Sequence, residues 1–69
     1  MDVKIDITDE FIRLGDVLKF SGFTITGGEA KVMIKEGLVK VNGEVETRRG
    51  RKVYKGDRIS LEMGNIDVC

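Results

Sequence analysis

The 69 residues predict an α+β fold. Three observations point there. An alternating apolar–polar segment opens the chain, two short stretches carry apolar residues at helical spacing, and an Asn-Gly pair sits between two β-forming runs.

Each element has its own warrant. In Asp2-Val3-Lys4-Ile5-Asp6-Ile7, Val3, Ile5 and Ile7 share one face, as the period of two in a strand requires. Phe11, Leu14, Val17 and Leu18 then form a helical stripe, so a first helix is expected over about 13–21, with Gly22 as its stop and Gly15 as a weak point inside it. Thr26-Gly27-Gly28-Glu29 reads as a capping box, with Thr26 capping a first-turn amide and Glu29 reaching back. A second helix over about 27–36 follows, carrying Ala30, Met33, Ile34 and Leu38 on its apolar face and ending near Gly37. Two helices joined by Gly22-Phe23-Thr24-Ile25 make a helical hairpin. Asn42-Gly43, between Leu38-Val39-Lys40-Val41 and Glu44-Val45-Glu46-Thr47, is the signature of a type I′ turn. A last strand is expected at Arg58–Glu62, with Ile59 and Leu61 inward, after a turn at Lys55-Gly56-Asp57. Residues 64–69 show no clear pattern and are expected to fray. Ala30, Ile34, Leu18 and Leu61 are expected in the core.

Composition narrows the function. The length allows one domain, and a chain this short has little capacity for a deep, water-excluding site. There is no His, and the one Cys is Cys69, so His-based acid–base chemistry, a Cys-cluster metal site and an internal disulfide are not expected. Gly-Gly-Glu-Ala lacks the Gly-Lys-Ser/Thr ending of a phosphate-binding P-loop, and no nucleophile–base pair is visible. Catalysis and a bound cofactor are therefore not expected. The longest apolar run, Val32-Met33-Ile34, is far short of the roughly 20 residues of a membrane span. With no secretory segment and no disulfide, a cytoplasmic location is expected.

Lys plus Arg equals Asp plus Glu at 12 each, yet the charge is unevenly placed. Residues 48–58 hold Arg48, Arg49, Arg51, Lys52, Lys55 and Arg58 against Asp57 alone, whereas residues 1–10 hold Asp2, Asp6, Asp9 and Glu10 against Lys4. Arginine makes bidentate contacts to phosphate and stacks on bases, so the basic stretch is a candidate anion site. It also reads as a plain solvated loop. Lys31 and Lys35 lie four apart on one face of the second helix. The Gly27 and Gly28 amides lie at that helix's start, where free N–H groups attract anions. Here the plain reading is that Gly-Gly reverses the chain and the lysines solubilise it.

The order of two helices, then Gly37-Leu38-Val39-Lys40-Val41-Asn42-Gly43, then Lys55-Gly56-Asp57-Arg58-Ile59 resembles the S4-type RNA-binding domain, the alpha-L RNA-binding motif. The resemblance covers about residues 12–61. Gly27-Gly28-Glu29-Ala30-Lys31 and Asn42-Gly43-Glu44-Val45-Glu46-Thr47-Arg48-Arg49-Gly50 resemble the short bacterial proteins made of this domain and little else. The resemblance implies a two-helix hairpin packed on a small, mostly antiparallel β-sheet, and RNA binding through the helix pair. It implies that Lys19, Thr26, Lys31 and Lys35 face RNA. Two departures stand out: many members carry Arg after the Ser/Thr cap, where this chain has Gly27, and Asp near the first helix's start, where it has Gly15. Either the downstream arginines compensate, or the RNA shape differs.

The resulting expectation is a non-catalytic module that binds structured RNA, by resemblance ribosomal RNA or the ribosome, through backbone phosphates. Gly27 and Gly28 would meet one phosphate beside Lys31 and Lys35, and Arg48, Arg49, Arg51 and Lys52 would meet a second segment. Phe11, Phe20, Phe23 and Tyr54 are the only aromatics, and the Phe residues read mostly as core, which favours readout of shape over stacking. The rivals are a protein-interaction module, with Val3, Ile5 and Ile7 pairing in a homodimer, and an accessory domain of an enzyme complex.

Overall fold

The computed structural model describes residues 2–69. In chain order the elements are β1 (Asp2–Ile5), β2 (Ile12–Arg13), α1 (Leu14–Phe20), α2 (Gly27–Lys35), β3 (Lys40–Val41), β4 (Glu44–Val45), β5 (Lys52–Val53), β6 (Arg58–Leu61) and β7 (Gly64–Val68). Five strands form one sheet in the order β1-β7-β6-β3-β4, and β2 pairs with β5 in a separate antiparallel ribbon. All pairings in the larger sheet are antiparallel except β1 with β7. The two helices pack on each other and close the core.

The core joins Leu14, Val17 and Leu18 of α1, Ala30 and Ile34 of α2, Phe23 between them, and Val39, Val41, Val53, Ile59, Ile66 and Val68 of the strand region. Every residue of this set is at most 6% exposed. Val3, Ile5 and Ile7 pack against it from one face of the N-terminal segment, as their alternation requires.

The helices match expectation to within one residue at each end. Thr26 accepts a bond from the Glu29 amide at 3.2 Å, but the exposed Glu29 carboxylate makes no return bond among the described residues, so half of the capping box forms. At its far end α2 is closed by Leu38 N–H to the Met33 carbonyl and Gly37 N–H to the Ile34 carbonyl. Asn42 and Gly43 have φ of 51° and 87°, the two left-handed residues a type I′ turn needs. The Asn42 side chain also accepts from Arg58 N–H at 2.9 Å and donates to Asp57 at 3.0 Å, tying the turn to β6.

Two expectations fail. Residues 64–69 do not fray: β7 lies between β1 and β6 with Ile66 and Val68 buried, and Cys69 bonds through its N–H to Ile5 and through its carbonyl to Ile7. The missed hairpin turns at Glu62-Met63, with Leu61 opposite Gly64, and this pair carries none of the usual turn chemistry. Leu61 is only half-buried, because it ends β6 beside that turn.

Candidate nucleic-acid interface

The candidate interface begins with the β2–β5 ribbon. Ile12 pairs with Val53 and Arg13 with Lys52, and the ladder continues through Leu14 N–H to the Arg51 carbonyl at 2.9 Å and Gly15 N–H to the Arg49 carbonyl at 3.1 Å. A helix leaves its first amides without internal partners. In α1 the basic loop's own carbonyls fill two of them. In α2 the Gly27 and Gly28 amides have no protein acceptor among the described residues, since Thr26 takes only those of Glu29 and Ala30. Of the two helix starts, α2 keeps the more anion-ready one.

The loop itself is organised by Glu46, whose side chain is 8% exposed. Its carboxylate accepts from the Thr47 and Arg48 amides at 3.0 and 3.1 Å, from Arg48 Nε and Nη2 at 3.0 Å each, and from Arg51 Nη1 at 3.2 Å. Hydrogen bonds from Arg48, above all, hold this carboxyl down at a pKa of about 2 against burial that opposes them. The same pairing raises the Arg48 pKa above its ordinary value. A solvated basic loop exposes its charges, and Arg48, Arg49 and Lys52 are exposed. Arg51 is instead half-buried, and both it and Arg48 are engaged by an acid inside the basic stretch.

Arg49 lies differently. It has no ion pair among the described residues, and its aliphatic stem lies on Gly15, where a Cβ would stand 2.6 Å from Arg49 Cγ and 3.2 Å from Cδ. Only a glycine leaves room for that stem. Arg13, which the sequence reading did not single out, donates through Nη1 to the Gly50 carbonyl at 2.7 Å. Arg13, Gly15, Asp16, Gly27, Arg49 and Gly50 together line one open cleft. Gly27 and Arg49, assigned from sequence to separate contacts, therefore border the same depression. Added Cβ atoms at Gly27 and Gly28 would meet open space and Thr26 Oγ1 at 3.9 Å respectively, so neither glycine is there for packing.

Lys31 and Lys35 are exposed on α2 and Lys19 is exposed in the last turn of α1, none of them lining the cleft. Lys52 Nζ lies 4.8 Å and Arg13 Cζ 5.2 Å from the Phe11 ring centroid, within cation–π range. The expectation that the Phe residues are mostly core fails: Phe23 is buried, but Phe11 is half-buried outside the central cluster and Phe20 is 66% exposed. Helical spacing from Phe11 suggested a core position, whereas Phe11 precedes β2 and lies outside the helix.

A family model for the S4 domain matches residues 5–69. The chain belongs to the S4-domain family. A Bacillus subtilis relative named "Probable ribosome maturation protein RlbA" is 45% identical over 65 residues, covering 93% of this chain and 92% of that one. An Escherichia coli relative named "Putative RNA-binding protein YbcJ" is 40% identical over 57 residues, covering 83% and 81%. The solution structure of Escherichia coli YbcJ, described as revealing an alpha-L motif involved in RNA binding, superposes with a TM-score of 0.70 at 34% identity, over 97% of this chain and 84% of that one. This S4 domain thus has the α+β fold that its sequence predicts. Among its described residues no helix is long and apolar enough to cross a membrane.

Proposed function

We propose that this S4 domain binds structured RNA, and that the cleft between the start of α2 and the 46–51 loop receives its phosphate backbone. The carrying observation is the convergence of the unpartnered Gly27 amide with Arg49 and Arg13 around one depression, which a single carboxylate, Asp16, also lines; the unpartnered Gly28 amide follows in the same helix turn. Free helix-start amides and guanidinium groups are both recurring protein ligands of phosphate. Lys31, Lys35 and Lys19, exposed on the helix pair, add attraction along the approach, and Thr26 holds the helix start in place. Arg48, Arg51 and Lys52 are presented on the same loop and ribbon, with Glu46 setting the loop's shape.

Such contacts position RNA without reading its sequence. The ribosome-maturation name of the Bacillus subtilis relative supports ribosomal RNA, or a ribosomal particle, as the target. Crosslinking in cells and sequencing of the attached RNA tests this reading. Reads enriched over input RNA at defined ribosomal RNA positions, and lost with Arg49→Ala, are expected; reads that only follow RNA abundance, unchanged by that substitution, would contradict it.

A further inference from the structure

Three aromatic rings lie outside the central core, and two of them meet at the end of the basic ribbon. The ladder that starts with Gly15 opposite Arg49 runs through Arg13 opposite Lys52 and Ile12 opposite Val53. One step further, the Phe11 and Tyr54 rings lie 6.2 Å apart at 55°. Tyr54 is 43% exposed. Its backbone is fixed, because its N–H donates to the Asp57 carboxylate at 2.8 Å and its carbonyl accepts from Asp57 N–H at 3.0 Å. Lys52 and Arg13 lie over Phe11 and have no ion pair among the described residues, and the exposed Lys55 follows Tyr54. The carboxylate next to Tyr54 is Asp57, which also accepts from Asn42.

We propose that Tyr54, backed by Phe11, is a stacking platform for an unpaired base of the bound RNA, so that the ligand is a structured RNA carrying an unpaired nucleotide beside its paired stem. The inference rests on the RNA-binding reading above and adds the class of RNA. Five residues of extended chain from Arg49 to Tyr54 span at most about 18 Å. A backbone held at the cleft therefore reaches Tyr54 within a few nucleotides. An exposed ring rigidly held beside cations is the recurring means of holding an unstacked base. Phe20 is a poorer candidate despite its greater exposure, because its groove sets three carboxylates, Asp6, Asp9 and Asp16, against Arg13 alone, a balance that repels a polyanion. Tyr54 does not line that groove, although Phe11 behind it does, on the side that carries Arg13.

The chain has one Tyr and no Trp, so its intrinsic emission reports on Tyr54 alone. Two RNA duplexes of equal length and charge serve as probes at low salt, one fully paired and one with a single-nucleotide 3′ overhang balanced by a shortened stem. The parent is expected to prefer the overhang RNA by about tenfold, within the range of one base stacked on an aromatic ring, and to lose Tyr54 emission as it binds. Tyr54→Leu should bind both RNAs like the parent binds the paired one, while Tyr54→Phe should keep the preference. Circular dichroism on each variant confirms that it is folded. An equal preference in the parent and Tyr54→Leu, or no preference in the parent, overturns the stacking platform and leaves backbone binding standing. Failure of the parent to bind either RNA overturns both.

Discussion

At the scale of single residues, Gly15 and Glu46 control the basic loop without being basic. Gly15→Ala puts a methyl group 2.6 Å from Arg49 Cγ, which forces the arginine stem off α1. RNA affinity should then fall toward that of Arg49→Ala, on the order of a few-fold for one exposed charge contact, while the helical circular dichroism is unchanged. Full affinity in folded Gly15→Ala would mean that the seat on α1 does not matter. Glu46 acts through titration. Its folded pKa of about 2 lies below the ordinary 4.5, so the proton binds more weakly in the folded state. Its contribution is therefore complete above about 4.5 and is lost as pH falls toward 2. Chemical denaturation at a series of pH values should show parent stability falling through that window. Glu46→Gln should be less stable than the parent at pH 7, with the gap closing by pH 2. A constant gap would show that the carboxylate's charge is not what holds Arg48 and Arg51.

At the scale of elements, β7 is the part of the fold that the sequence concealed. Ile66 is fully buried between strands on both sides, and large-to-small changes at such sites cost about 2–5 kcal/mol. A domain of this size has few kcal/mol in total. Ile66→Ala should consequently unfold much of the population at room temperature, and Ile66→Val should lower stability by about 0.5–1.5 kcal/mol. Native amide exchange as slow at Ile66 as at Ile59 checks the same point; fast exchange across 64–69 would favour the frayed tail. The helices and the Asn42-Gly43 hairpin were legible because each has a local chemical signal: the Thr26 cap, the 3–4 spacing of Ala30, Met33 and Ile34, and a dipeptide suited to positive φ. The alternation of Ile66 and Val68 was present too, but Glu62-Met63 gave no turn signal to announce it. The β2–β5 ribbon has only two residues in each strand, so its pairing comes from tertiary contact and not from any pattern in Ile12-Arg13 or Lys52-Val53.

At the scale of the whole molecule, the neutral net charge resolves into separated faces. Asp6, Asp9 and Asp16 line a groove with Phe20, while Arg13, Arg49 and the α2 start border the adjoining cleft, which Arg13 and Asp16 share with that groove. The candidate residues were half legible. The glycine pair and the arginines stood out by type. That Arg49 would share a cleft with Gly27, and that Arg48 and Arg51 would both pair with Glu46, depends on the return of the chain along α1, which no local spacing encodes. In a body of 28 × 22 × 20 Å, the proposed binding mode brings the cleft and the ribbon onto one short stretch of RNA. Salt dependence reads how many of its phosphates the protein engages, since each contact released lowers the slope of log affinity against log salt by about 0.7–0.9.

The most direct test of the helix-start cleft is that slope, measured for the parent and for Gly28→Glu on the same structured RNA. A side chain at position 28 meets only Thr26 Oγ1 at 3.9 Å, and an acid in the first turn favours the helix by about 0.3–1 kcal/mol. Stability should therefore hold or rise. A phosphate held at the helix start requires that affinity nevertheless falls at least about tenfold and that the slope drops by about one contact. A stable Gly28→Glu with the parent's affinity and slope would contradict it.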